Sequence, residues 1–288
     1  MSSRAQKERT VAIPALALVV AFASAAYAGA SLQAVSQQAS PQSHTKIELI
    51  AEEDSFRLGH TLWVGLHFEL DDGWHIYWQN PGDSGEPPKI RWELPQGFEA
   101  GAIEWPRPIR LGSGSVIDYG YEGQVLLMAP VRIPAALNAR AQATIGADVK
   151  YIVCREICIP GEAQLTLAIP AAKDPSRHYS AWRELFERTR AQLPEAAPRG
   201  WKISARSQGD NFILTVRGEA APRDAAFFPL DANVIENSAM QIPASSGAGF
   251  QLTLRKSDQL LKTLAALRGV LVLDGTRAYE VSAPVAPR

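Results

Sequence analysis

Thr61-Leu62-Trp63-Val64-Gly65-Leu66-His67-Phe68-Glu69-Leu70 is the stretch on which the fold turns. Leu62, Val64, Leu66, Phe68 and Leu70 take every second position, with Trp63, Gly65, His67 and Glu69 between them. Successive side chains of a β-strand point to opposite faces, so a period of two marks a strand with one apolar and one mixed face. The alternation recurs in residues 125–133, 143–153 and 163–169. Asp71-Asp72-Gly73, Asn80-Pro81-Gly82, Pro95-Gln96-Gly97 and Pro160-Gly161 supply turn chemistry between these runs. Short strands, frequent turns and no intervening helix predict an all-β fold, an antiparallel β-sandwich over residues 46–172.

After the sandwich the pattern changes. Trp182, Leu185, Phe186, Thr189 and Leu193 fall at helical spacing, with Asp174-Pro175 as the expected opening and Pro194 as the stop. This predicts one amphipathic helix with a linker, residues 173–198. Strand alternation then returns in residues 201–207, 212–217, 250–254, 270–273 and 278–282, which predicts a second, smaller β-rich domain over residues 199–288. Ser257 and Gly269 bracket a short helix expected at residues 258–267. The second domain has no cysteine, and its polar residues announce no chemistry.

Composition narrows the function classes. The 288 residues are 46% hydrophobic and 20% charged, the make-up of a globular protein able to bury a core. A formal charge of −1 offers no basic surface for a phosphate backbone, so no nucleic-acid partner is expected. At the N-terminus Arg4, Lys7 and Arg9 precede an apolar run over residues 11–25, and Ala26-Tyr27-Ala28 has the small-x-small pattern of a signal-peptidase site. Residues 1–28 are therefore expected to be a secretory signal peptide, too short in its apolar part to span a bilayer of about 20 helical residues. Removing them takes three of the 29 basic and one of the 30 acidic residues, leaving a mature chain of charge −3. Residues 29–45 carry little that can join a core and are expected to be a flexible lead-in.

An exported chain meets an oxidising compartment, which directs attention to the two cysteines, Cys154 and Cys158. On a continuous strand their Cα atoms would be about 13 Å apart at about 3.3 Å per residue. A disulfide tolerates at most about 7 Å, so a bridge requires the chain to turn over Arg155-Glu156-Ile157, with Pro160-Gly161 launching the return strand. So small a ring constrains the unfolded chain modestly. Three readings stay open: a structural disulfide or buried thiols, a pair that exchanges with partner disulfides, and a metal site. Zinc prefers four ligands, and the histidines show no ligand spacing with the pair, which leaves copper(I) on two thiolates as the metal case. Arg155 favours a thiolate and Glu156 opposes it.

Three ordered motifs carry a resemblance. Gly73-Trp74-His75-Ile76-Tyr77-Trp78-Gln79-Asn80-Pro81-Gly82-Asp83-Ser84-Gly85, then Tyr119-Gly120-Tyr121-Glu122-Gly123, then Val153-Cys154-Arg155-Glu156-Ile157-Cys158-Ile159-Pro160-Gly161 resemble the N-terminal periplasmic domain of the DsbD thiol:disulfide interchange family. The resemblance covers about residues 46–170. It implies an immunoglobulin-like sandwich, a redox pair at Cys154 and Cys158, and no organic cofactor or metal. It also implies a membrane-embedded electron donor and periplasmic thioredoxin-fold receivers, among them disulfide isomerases and factors that keep cytochrome c apoproteins reduced. Full-length members continue into a membrane domain and a thioredoxin-like domain, neither of which this sequence contains, so the chain is not expected to be a transmembrane conduit. Its C-x3-C spacing is tighter than in the best-known members.

The expected function is therefore a periplasmic thiol-disulfide exchange module of the disulfide-reductase type. The alternatives are a non-catalytic binding or assembly protein with a structural disulfide, and a copper-handling protein. Trp74, Tyr77 and Trp78 are read as packing residues, and His75 as a strand residue. Residues 110–118 have the Gly and Ser content of a mobile loop, and the resemblance, in which a loop of roughly this region caps the disulfide, implies that they shield the pair until a partner displaces them.

Overall fold

The computed structural model describes residues 35–36, 44–112, 114–136 and 142–286. The expected signal peptide lies outside the described residues, as does most of the expected lead-in. Within the lead-in, Val35–Ser36 adds an edge strand by pairing with Leu165 and Thr166.

Two sheets build the first part of the chain. One has four strands in the order Thr45–Ala51, Thr61–Leu70, Gln124–Arg132 and Glu99–Ala100. The other has seven, with Val35–Ser36, Cys158–Pro170, Gln142–Cys154, His75–Gly82, Asp118–Glu122 and Ile109–Leu111 in sequence across it and Lys89–Glu93 paired beside Gln142–Cys154. Their apolar faces meet in one core: Leu62, Val64, Leu66 and Phe68 from one sheet pack with Ile76, Trp78, Tyr119 and Ile145 from the other. This is the immunoglobulin-like sandwich, and the alternation along Thr61–Leu70 puts its apolar members inside as expected.

Arg183–Arg190 forms the linking helix. Phe186 sinks into a satellite cluster with Ile50, Leu126 and Met128, so the helix covers the outer face of the four-stranded sheet. The buried carboxylate of Glu52 accepts two bonds from the Arg190 guanidinium, both 2.7 Å. The helix starts later than Asp174-Pro175 predicts. The intervening backbone is drawn along the sandwich instead, where Asp54 N–H donates to the His178 carbonyl and Ser180 N–H to the Glu52 carbonyl.

A sheet of eight strands follows, built from Glu195–Ala196, Lys202–Gln208, Asn211–Arg217, Ala225–Pro229, Pro243–Ser245, Gly249–Arg255, Ala266–Leu273 and Arg277–Ala286. The short helix expected at residues 258–267 is not there. Ser257 instead closes a turn, its Oγ accepting from Gln259 N–H, and the chain enters strand Ala266–Leu273. That strand needs extended backbone because both its faces are buried: Leu267, Leu271 and Leu273 join the core of this second unit. Val270 and Val272, on its other face, join the core of the first with Phe228. Phe228 stands edge-on to Trp78 and Tyr119, with ring centroids 6.2 and 5.0 Å apart.

Candidate functional site

Cys154 ends one strand and Cys158 begins the next, and the two are direct cross-strand partners at the tip of the longest hairpin in the sandwich. Arg155-Glu156-Ile157 makes the turn, closed by Arg155 N–H donating to the Ile157 carbonyl at 3.1 Å. The cysteines form a disulfide with Cα atoms 4.1 Å apart, as the turn between them allows. Pro160 and Gly161 do not launch the return strand. They lie within it, and Gly161 faces Tyr151, whose ring occupies the space a Cβ would need.

The two sulfurs live in different surroundings. Cys154 is buried, 2% exposed, and is in register with His75 on the neighbouring strand. Cys158 is exposed, beside an Ile157 that is 65% exposed. The side chain that distinguishes the sulfurs most sharply is Tyr77. Its buried phenol donates to Cys154 Sγ at 2.8 Å and stands 3.6 Å from Cys158 Sγ. Burial pushes the phenol pKa up and the Asp118 carboxylate adds to the effect, while the Ser84 hydroxyl at 3.5 Å opposes it. The group therefore keeps its proton and remains a donor at neutral pH.

Sequence reasoning treats Tyr77 as a packing aromatic and misses its contact with the disulfide. A signal was available: Ile76 and Trp78 belong to the sandwich core, so the alternation places Tyr77 on the opposite face with His75. The His75 ring meets Tyr77 edge-on at 5.3 Å. Burial lowers the His75 pKa against the opposing pull of Asp118 and Glu122, which fits a neutral strand residue.

Around the phenol sits the turn over residues 81–85. Asp118 accepts from Ser84 N–H and from Ser84 Oγ, both at 2.8 Å, and Asp83 accepts from Ile117 N–H at 2.7 Å. Gly85, at φ +69°, lies against the Tyr77 ring where a Cβ would collide with it. Of residues 110–118, expected to shield the pair, Ile117 and Asp118 bond to this turn. Arg110 faces away, donating to the Asn237 carbonyl of the second unit. The exposure of Cys158 shows that the pair is not sealed.

In the disulfide the sulfurs offer no thiolate, which is the form that binds metals. Among the described residues one group of three potential ligands, Glu48, His67 and Glu69, lies on the four-stranded sheet. The Lys46 ammonium already sits 3.0 Å from Glu48.

Fold and site together define a class: an immunoglobulin-like sandwich with a disulfide at a hairpin tip, one sulfur buried on a phenol and the other open. Residues 46–170 match the family described as thiol:disulfide interchange protein DsbD, N-terminal. Together with the disulfide, the match makes this a thiol-disulfide exchange domain in general terms. Among solved structures, the N-terminal periplasmic domain of ScsB from Proteus mirabilis is similar at a TM-score of 0.65 and 16% identity, covering 88% of this chain and 99% of that one. That coverage exceeds what residues 46–170 can supply, so the shared fold extends into the second β unit. Comparison with curated protein sequences finds no match. Among the described residues no helix is long and apolar enough to cross a membrane.

Proposed function

We propose that the protein is a periplasmic thiol-disulfide exchange module that relays reducing equivalents through Cys154 and Cys158. The observation that carries this reading is the asymmetry of the disulfide: Cys158 is open to a partner, and the buried Cys154 sulfur accepts a bond from Tyr77 at 2.8 Å. The donor in this reading is a membrane-embedded protein and the receivers are periplasmic thioredoxin-fold or cytochrome c maturation proteins, a reading that the resemblance to the DsbD family supports.

The steps follow from access and leaving-group chemistry. A thiolate of the reduced donor attacks Cys158 Sγ, forming an intermolecular disulfide as the Cys154–Cys158 bond breaks. Cys154 leaves as a thiolate, and its negative charge strengthens the bond it accepts from Tyr77. Exchange is faster when the departing thiol has the lower pKa, so the phenol assists departure. The donor's second thiolate then attacks its own sulfur in the mixed disulfide and releases Cys158. The donor ends as a disulfide, the pair has gained two electrons, and protons for the thiolates come from solvent. Discharge onto a receiver's disulfide is the same sequence reversed, beginning with Cys158.

The test is the equilibrium reduction potential of the pair in the folded mature chain. A value between about −180 and −270 mV, the span of known exchangers, supports the relay. A value below about −300 mV belongs to a structural bridge and overturns it.

A further inference from the structure

We propose that the second β unit completes the redox site through Asn237, a positioning residue that holds the turn over residues 81–85 and thereby the Tyr77 phenol at the disulfide. This rests on the exchange reading and assigns a role to residues for which the sequence announces none.

Asn237 is buried, 6% exposed, and both ends of its amide are bonded. Its Nδ2 donates to Asp83 Oδ1 at 2.7 Å, and its Oδ1 accepts from the Tyr119 hydroxyl at 2.6 Å. The other oxygen of Asp83 takes Ile117 N–H, so the Asp83 carboxylate is held from both sides. Ser84, the next residue, is clamped by Asp118 through its N–H and its hydroxyl. The Ser84 hydroxyl then stands 3.5 Å from the Tyr77 phenol, which lies between it and Cys154 Sγ.

Each link leads to the sulfur that departs as a thiolate. Buried polar groups lose heavily when a partner is removed, so such a chain has few alternative arrangements. If the second unit served only to cover the sandwich, the apolar contacts of Phe228, Val270 and Val272 would suffice. They require no amide aimed at the carboxylate beside Ser84.

The experiment exchanges donor and acceptor. Asn237→Asp sets a second carboxylate against Asp83 and removes the donor, whereas Asn237→Asp combined with Asp83→Asn restores one donor facing one acceptor. Two quantities are read in the full mature chain, with the melting temperature as a check on folding: the rate at which a small dithiol reduces the disulfide, and the thiolate pKa of the reduced pair from its ultraviolet absorbance. Asn237→Asp is expected to slow reduction about threefold or more and to raise the pKa, since a poorer leaving thiolate departs more slowly. The exchanged pair is expected to return both to wild-type values. A folded Asn237→Asp protein with unchanged rate and pKa overturns the proposal, as does a folded exchanged pair that restores neither. Should Asn237→Asp fail to fold, Asn237→Ala removes the donor without adding charge: shifted values support the proposal and unchanged values overturn it. A wild-type pair that resists dithiols sinks the exchange reading itself. A wild-type pair that exchanges but is indifferent to Asn237 sinks only this proposal.

Discussion

The phenol of Tyr77 donates to the sulfur of Cys154, 77 residues away in sequence, at 2.8 Å, and it is the one polar side chain in bonding range of both cysteines among the described contacts. Hydrogen bonds to charged groups are worth about 1.5–3 kcal/mol, against about 1 kcal/mol for neutral pairs. The bond therefore favours the thiolate over the disulfide or the thiol. Tyr77→Phe keeps the ring in its packed place and removes the donor. The expected outcome is a rise of about 0.5 to 1.5 units in the Cys154 thiol pKa. Reduction by a small dithiol should slow as well, and stopped-flow kinetics with thiolate absorbance read both. Unchanged kinetics and pKa would mean that the phenol only fills space.

The unequal burial of the two sulfurs leads to a second expectation. With Cys154→Ser, the remaining thiol at Cys158 lies at an exposed hairpin tip and should be alkylated at close to the rate of a free cysteine. With Cys158→Ser, the thiol left at Cys154 is 2% exposed beneath Tyr77, and alkylation should be about tenfold slower or more. Mixed disulfides with a small disulfide reagent should accumulate on the first variant and scarcely on the second. Equal rates, measured by mass spectrometry over time, would contradict Cys158 as the point of entry.

Local pattern carried most of this structure and through-space pairing carried the rest. Alternation along Thr61–Leu70 was enough to place its apolar face in the core, because a strand's side-chain period is independent of its neighbours. The cysteines were legible because a spacing of four residues admits a bridge only across a turn. Tyr77 was not legible as a site residue, since its partner sulfur is brought near by sheet pairing alone. Asn237 is still further removed, joined to Asp83 across 154 residues. The segment after Ser257 misled for a different reason: a serine and a glycine at helix-like spacing also bracket a turn and a strand, and burial of Val270 and Leu271 on opposite faces decided for the strand.

Gly85 gives a test of how tightly the turn grips the phenol. Its φ of +69° lies in the left-handed region, and a Cβ there would run into the Tyr77 ring, which is fully buried and has no space to retreat. Both effects disfavour any other residue. Gly85→Ala should cost about 1 kcal/mol for the backbone alone and more for the collision, lowering the denaturant midpoint. Because the strain is relieved by moving the turn or the ring, dithiol reduction should change along with stability. Stability lost with no change in reduction rate would separate the turn from the redox chemistry.

His67 makes the stability of the fold sensitive to mild acid. Its ring is buried, with Nδ1 3.7 Å from the Glu69 carboxylate, beside Trp182 at a centroid distance of 5.4 Å. Burial lowers its pKa below the ordinary 6.5; Glu69 and Glu48 pull it up, Lys46 pushes it down, and Gln124 raises it slightly. The unfolded chain then takes up a proton at a higher pH than the folded one. Stability is accordingly complete above the unfolded value of 6.5 and falls as pH drops through it, levelling off once the folded ring is also protonated. His75, lowered by burial as well, adds to the slope in the same direction. Urea midpoints measured between about pH 7.5 and 5.5 should fall with acid in the wild type. His67→Phe removes one titrating group and should flatten that slope, leaving the variant more stable relative to wild type at the acid end than at the neutral end. An unaltered slope in the variant would show that the His67 ring is protonated equally in the folded and unfolded chains.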